Sequence, residues 1–254
     1  MSPLKIAHRG AMTEAPENTR SAFDRAMDRG VDGIEFDVQI TKDGIPVIYH
    51  DAFLHKITGS FTAISDYTLA QLQHFDFGRW FSKNYENEKI LTLEQTLSTY
   101  GTRTRLFVEI KSSPNPQARS LYEQLPGLVV DCVKNCIPKN RIVDIHILSF
   151  DAGMLYAAFA MGPDLKYILN LEAPFSIDAP PRVNREMLYG YGLEHTRLNH
   201  PFVAQCHEDG KTVFTYSCNT VAAIERAMSL DVNGIMTDDP GGDPWGQFFQ
   251  TRNQ

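Results

Sequence analysis

Histidines, carboxylates and an arginine recur at the ends of short apolar segments near the start of this chain. His8 and Arg9 close the stretch LKIAHRG. Glu35 and Asp37 stand two residues apart in GIEFDVQI, and His50 ends the next apolar run, IPVIYH. Carboxylates bind hard cations, and histidine transfers protons near neutral pH. These residue types in this arrangement indicate a reactive site, whereas a chain that needed only a core has little use for them.

A second polar pair, Glu109 and Lys111, lies in the later segment RLFVEIK. Alternate residues of a strand share a face, so Glu109 and Lys111 point one way, as do Glu35 and Asp37. Three carboxylates that face one interior with a single nearby lysine repel one another, and a divalent cation, Mg²⁺ or Ca²⁺, would relieve this repulsion. The alternative is a buried ion-pair network centred on Lys111 and Arg9.

The cationic side chains indicate an anionic substrate. Arg9 is suited to hold two phosphate oxygens in a fork, and Lys111 offers a point charge to the same group. His8 and His50, close to one metal, could divide the work of general acid and general base. The set therefore points to phosphoryl or phosphodiester chemistry without fixing the substrate.

Regular alternation of apolar strands with helical segments is expected to position these residues. The strands are predicted at Leu4–His8, Gly33–Ile40 with a hairpin arm Ile45–His50, Arg105–Lys111, Arg141–Phe150, Leu165–Leu171, Tyr191–Leu198, Thr212–Ser217 and Gly234–Thr237, with a short helical turn at Arg185–Tyr189. Eight such units in this length favour a closed (β/α)₈ barrel. An open doubly wound sheet is the alternative, but no GxGxxG or Walker-type loop follows the first strand. We expect one domain over residues 1–254, with an aromatic insertion at approximately 51–90 after the second strand.

Composition limits the class of protein and of partner. The 254 residues are 43% hydrophobic and carry a net charge of −7, which argues against nucleic acid as a partner. No apolar run approaches the roughly 20 residues that span a bilayer, so stable membrane association is not expected. The first strand starts at Leu4, which leaves no room for a signal peptide. We therefore predict a cytoplasmic protein with four free thiols, for which a homo-oligomeric assembly is compatible with the sequence.

The same stretches resemble the glycerophosphodiester phosphodiesterase family. HRG, PENT, GIEFDVQITKDGIPVIYHD, VEIK and the closing GIMTDDP match in order over nearly the whole chain, most densely in residues 5–51. DFGRWF and LTLEQTL resemble the end of that family's insertion and its next helix. The resemblance implies a TIM barrel with an insertion after the second strand.

The resemblance also implies a reaction, in which water and a glycerophosphodiester give sn-glycerol 3-phosphate and an alcohol. It implies that a divalent metal binds at Glu35, Asp37 and Glu109, that His8 and His50 form the acid–base pair, and that Arg9 and Lys111 bind the phosphate.

Two stretches depart from the family pattern, and both are expected to influence substrate choice. Tyr216 and Ser217 stand where the family has a tryptophan–threonine pair before Asn219, and the segment 170–183 is also atypical. Tyr216 is therefore assigned to the substrate pocket. A sugar phosphodiester substrate, a lyase reaction that forms a cyclic phosphate, and a protein that binds a phosphate ester without cleaving it are the alternatives.

Overall fold

Eight parallel strands form a closed ring in the computed structural model, which describes residues 2–174, 184–242 and 245. The strands are β1 (Leu4–His8), β2 (Gly33–Ile40), β3 (Pro46–Ile48), β4 (Arg105–Ile110), β5 (Ile145–Ser149), β6 (Lys166–Leu171), β7 (Leu188–Glu194), β8 (Thr212–Tyr216) and β9 (Gly234–Thr237). β1 pairs with both β2 and β9, which closes the ring, and β3 adds an antiparallel arm to β2. The predicted (β/α)₈ barrel is confirmed, and the open sheet is excluded.

Helices pack around the outside of this ring. Those in the described residues are α1 (Arg20–Asp28), α2 (His55–Thr58), α3 (Leu69–Leu72), α4 (Leu93–Tyr100), α5 (Arg119–Tyr122), α6 (Leu125–Cys136), α7 (Ala152–Met161), α8 (His200–Glu208) and α9 (Val221–Ser229). The side chains of Thr19, Thr92 and Thr220 cap α1, α4 and α9 by accepting a backbone N–H of the first turn. Across the described ranges, no helix is both long enough and apolar enough to cross a membrane.

Two strands begin at residues other than those predicted. β5 starts at Ile145 instead of Arg141, because a 3₁₀ turn over Lys139–Asp144 precedes it and an Arg141–Asp144 ion pair of 3.2 Å links its ends. The predicted helical turn is present over Arg185–Met187, and β7 starts directly after it at Leu188 instead of Tyr191 and ends at Glu194. A turn follows at once, since the Arg197 N–H donates to the Glu194 carbonyl.

The two faces of the barrel strands meet different surroundings. Ile34, Phe36 and Val38 of β2 point outward into the main core, where the Phe36 ring lies 5.8 Å from that of Phe23 in α1. Inward positions in the middle of the strands, beneath the polar residues, form a separate apolar cluster, consisting of Ile6, Phe107, Leu148, Ile168, Phe214 and Met236. The polar residues of β2 and β4 therefore face the interior near the carboxyl ends, as predicted.

The segment after β3 has a small core of its own. Leu54, Leu72 and Phe77 are buried there together with Val47 of β3. Trp80 lies outside this core and is 40% exposed, and the Lys56 ammonium lies over its ring, 4.8 Å from the centroid. The insertion thereby directs one cation of α2 toward the barrel mouth.

Candidate active site

The strand register brings the predicted site residues together at the carboxyl ends of β1, β2 and β4. His8 is paired with Glu35, and Asp37 is paired with Glu109. A cavity of about 150 Å³ opens at this end of the barrel. Its lining includes seven of the predicted residues, namely His8, Arg9, Glu35, His50, Glu109, Lys111 and Tyr216. Asp37, the eighth, lies beneath Lys111.

The three carboxylates of Glu35, Asp37 and Glu109 form a compact buried group. Each contributes an oxygen, and these oxygens lie within 4.8 Å of one another. Lys111 Nζ lies 2.8 Å from Asp37 Oδ1 and also contacts Glu109, while Arg9 Nε lies 3.3 Å from Asp37 Oδ2. The ion-pair network considered as an alternative is thus present, but it is centred on Asp37 and does not neutralise all three acids.

The pKa values of the acids show where negative charge remains uncompensated. Burial opposes ionisation of Asp37, but the attraction of Lys111 and Arg9 outweighs it and holds the pKa of Asp37 well below its usual range. Burial, followed by repulsion from Asp37 and Glu109, raises the pKa of Glu35 well above its usual range. Three buried acids face only two cations, and the raised pKa identifies Glu35 as the acid without a countercharge.

This donor set fits a divalent cation. Mg²⁺ and Ca²⁺ prefer oxygen ligands, and Glu35, Asp37 and Glu109 offer carboxylate oxygens that converge within one cavity wall. The raised pKa of Glu35 agrees with this fit, because a buried carboxylate without a full countercharge is stabilised by a nearby cation.

Arg9 is held in place by its backbone as well as by its side chain. Its φ of 54° lies in the left-handed region and is followed by Gly10 at 87°, where a Cβ would stand 2.7 Å from the backbone of Ala22. This turn lets the Arg9 N–H donate to Glu35 Oε2 at 3.1 Å. The guanidinium lies between Asp37 and Glu17, which is 3.4 Å from its Nη1.

Each predicted catalytic histidine has an aspartate at Nδ1. His8 Nδ1 lies 2.6 Å from Asp238 Oδ1, and His50 Nδ1 lies 2.9 Å from Asp51 Oδ1. A carboxylate at Nδ1 favours the tautomer with the proton on that nitrogen, which leaves Nε2 free to accept a proton. His8 Nε2 is 3.9 Å from Glu35 Oε2, so it faces the carboxylate group.

Several supporting residues were not singled out from the sequence. Asn18 Nδ2 donates to Asp37 at 2.9 Å, and Asn170 Nδ2 donates to Glu109 at 3.1 Å. Asp238 directly follows β9, so the strand-end rule that selected His8 could also have selected it. Lys56 lies 2.7 Å from Glu17 and 3.0 Å from Asp51, and no local pattern in the insertion marks it.

Tyr216 lies on the cavity wall, as predicted. Its ring centroid is 6.2 Å from that of Phe150, and its hydroxyl donates to the Leu171 carbonyl at 3.5 Å. Burial raises the pKa of the Tyr216 phenol, so the hydroxyl stays protonated near neutral pH. Of the atypical segment 170–183, only residues 170–174 belong to the described part of the chain.

Comparison with known proteins agrees with this geometry. Residues 8–242 match the model of the glycerophosphoryl diester phosphodiesterase family. A glycerophosphodiester phosphodiesterase of Caldanaerobacter subterraneus subsp. tengcongensis is 32% identical over 245 residues, covering 94% of this chain and 96% of that protein. One from Bacillus subtilis is 28% identical over 255 residues, covering 93% of this chain and 84% of that protein.

Solved structures agree as well. An Oleispira antarctica phosphodiesterase, solved in complex with the product sn-glycerol-3-phosphate, superposes with a TM-score of 0.84 at 25% identity over 99% of this chain and 97% of that chain. The enzyme from Thermotoga maritima shares the fold, with a TM-score of 0.75 at 24% identity over 99% of each chain. The chain belongs to the glycerophosphoryl diester phosphodiesterase family and is a phosphoric diester hydrolase.

Proposed function

We propose that this enzyme hydrolyses glycerophosphodiesters to sn-glycerol 3-phosphate and an alcohol by metal-dependent acid–base catalysis with His8 and His50. The observation that carries the proposal is the shared cavity, in which both histidines, each with an aspartate at Nδ1, meet Glu35 and Glu109. Glu35, Asp37 and Glu109 would hold the metal. A bound divalent cation would supply charge neutralisation at the non-bridging phosphate oxygens.

The side chains of this cavity account for the proton movements. One histidine accepts a proton from the attacking water through Nε2 as the new P–O bond forms. The other donates a proton to the departing alkoxide as the old P–O bond breaks, so charge is balanced. His8 and His50 are equivalent in their Nδ1 partners, and they can exchange roles if a substrate hydroxyl attacks first and a cyclic phosphate is then opened by water.

Arg9 and Lys111 would orient the phosphate and stabilise the charge that develops on it. Arg9 keeps its guanidinium at the cavity through Asp37 and Glu17, and Lys111 Nζ is held at the cavity by Asp37 and Glu109. Burial lowers the pKa of Lys111, but attraction by these acids outweighs it and the net shift is upward, so the ammonium stays charged. Tyr216, beside Phe150, would contact the group that the substrate carries and so favour glycerol or a sugar.

Hydrolysis of glycerophosphocholine tests the acid–base assignment. His8→Ala and His50→Ala are each expected to lower kcat about 10²–10⁴-fold, the usual contribution of general acid–base catalysis. His74→Ala removes an exposed imidazole outside the cavity and serves as the matched control. Full activity in both His8→Ala and His50→Ala would exclude the assignment.

The same assay separates the alternative substrates and products. EDTA should abolish turnover, and added Mg²⁺ or Ca²⁺ should restore it. Phosphorus NMR of early products distinguishes a hydrolase from a lyase that releases a cyclic phosphate. A panel of glycerol and sugar phosphodiesters, compared by kcat/KM, identifies the group that the cavity accepts.

We further infer one domain over residues 1–254, with residues 51–90 as its insertion, in a cytoplasmic protein. The core of the insertion is shared with Val47 of the β3 arm, which supports a single unit. The four cysteines, Cys132, Cys136, Cys206 and Cys218, are free thiols, as a reducing compartment favours. Limited proteolysis that released a stable fragment would contradict the single domain.

A further inference from the structure

The amino-terminal mouth of the barrel, opposite the active site, contains a second polar cavity. Its volume is about 550 Å³, and Arg105, His146, Lys166, Lys211 and Asp231 contribute to its lining. Barrel enzymes carry out their chemistry at the carboxyl ends of the strands. The hydrolytic reaction therefore does not account for charged side chains at this end.

Positive charge exceeds negative charge in this cavity. Its lining includes three cations and one carboxylate, although the whole protein has a net charge of −7. Asp144 lies 3.7 Å from Arg105, but it also pairs with Arg141 at 3.2 Å and so cannot neutralise both. Lys166 Nζ lies 4.8 Å from the Tyr189 ring, and it has no salt bridge within the ranges 2–174 and 184–242 or with residue 245.

An imidazole with one unpaired nitrogen lies at the floor of the cavity. His146 is 2% exposed, and its Nδ1 is buried with no hydrogen-bond partner among the described residues, although backbone hydrogen bonding at Asp144 and Leu106 acts on the same ring. Its ring stacks on Phe107 with centroids 4.4 Å apart and an interplanar angle of 7°. A phenylalanine could form this stack without burying an unpaired polar atom, which costs folding free energy. The stack alone therefore does not account for histidine at this position.

We propose that this mouth is a second ligand site, which binds a small organic oxyanion, a phosphate monoester or a carboxylate. Lys166 and Arg105 attract the oxyanion, and the imidazole of His146 supplies a hydrogen bond from the floor. The cavity volume lies within the range of small-molecule sites, roughly 300–1,000 Å³. The site is separate from the hydrolytic one and does not depend on its mechanism.

Calorimetry with AMP and with citrate tests the site, with Arg9→Gln introduced to weaken binding in the active site. Binding should persist in Arg9→Gln. Added Lys166→Gln should weaken it at least about tenfold, since a charge-assisted contact is lost, and added His146→Phe should weaken it several-fold. Lys139→Gln, which removes an exposed lysine just before β5 that does not line the cavity, is the control and should change affinity less than about twofold.

The results separate the ligand classes and can refute the site. Binding of AMP alone supports a phosphate monoester, and binding of citrate alone supports a carboxylate. No binding of either probe overturns the proposal, as does affinity that Lys166→Gln and His146→Phe leave unchanged. Equal losses in Lys166→Gln and Lys139→Gln would also overturn it, because they would indicate only general attraction to this end of the barrel. Circular dichroism of each variant verifies that it is folded.

Discussion

Replacement of Asp238 by alanine tests how the barrel orients the first histidine of the proposed acid–base pair. Asp238 Oδ1 lies 2.6 Å from His8 Nδ1, and the Asp238 carboxylate also accepts a hydrogen bond from Asn219. Burial tends to raise the pKa of Asp238, but the hydrogen bond and charge of His8, together with hydrogen bonds from Asn219 and Ser217, outweigh it and lower the pKa. Asp238 is therefore ionised near neutral pH and fixes the imidazole tautomer that leaves Nε2 free.

The expected loss of activity in Asp238→Ala follows from the contact between Asp238 and His8. A hydrogen bond to a charged group contributes about 1.5–3 kcal/mol, which corresponds to roughly 10–150-fold in kcat/KM if it acts in the transition state. The Ser217 hydroxyl, 3.2 Å from the same Nδ1, would retain part of the orientation. We therefore expect Asp238→Ala to lose about 10–100-fold, mainly in kcat, in hydrolysis of glycerophosphocholine.

The neighbouring carboxylate provides a matched control. Asp239 contacts Thr13 and not His8, so Asp239→Ala should keep activity within about twofold. Unfolding by urea measures the stability of both variants and separates lost orientation from lost folding. Unchanged kcat in Asp238→Ala, or an equal loss in Asp239→Ala, would refute the orienting role.

Three other changes follow from the same geometry. Mg²⁺ or Ca²⁺ at 100 times its Kd should stabilise the protein by about 2.7 kcal/mol in thermal melts. Glu35→Gln should lose most of this stabilisation, and an equal stabilisation of Glu35→Gln and the unsubstituted protein would contradict the metal site. Gly192→Ala should destabilise by about 1–3 kcal/mol, because its Cβ would collide with Asn170 beside Glu109; a neutral urea melt would contradict that packing. Burial, with repulsion by Lys166, lowers the pKa of His146 from 6.5 to about 3. Below pH 6.5 His146 becomes protonated in the unfolded chain but stays neutral in the folded protein. The free energy of unfolding therefore decreases as the pH is lowered. Compared with His146→Phe, the unsubstituted protein should lose about 1.4 kcal/mol of unfolding free energy for each unit by which the pH is lowered, down to a pH of about 3. Parallel curves of unfolding free energy against pH for the two proteins would contradict this prediction.

Local patterns predicted which polar side chains gather at the carboxyl ends of the strands. Glu35 and Asp37 face inward because alternation along a strand is a property of the strand itself, and their outward neighbours are apolar enough to specify the register. The closed barrel was predicted from the count of eight strand–helix units in a chain of this length, which local apolar patterns are sufficient to give. The strand bounds failed at β5, where a 3₁₀ turn with an Arg141–Asp144 pair replaces the first residues of the predicted strand, and at β7, which begins directly after the turn capped by Asn184 and ends earlier than predicted.

The sequence by itself determined which side chains point into the barrel, and therefore that carboxylates, histidines and cations collect at one end of it. Only the tertiary structure decided their partners. Asp238 reaches His8 across 230 positions of the chain because β9 pairs with β1, and Lys56 reaches Glu17 because the insertion folds back over the mouth. The same closure places His146 beneath Phe107 in a cationic cavity. Side-chain direction follows from backbone alternation between adjacent residues, whereas these contacts depend on distant strands that meet only when the ring closes.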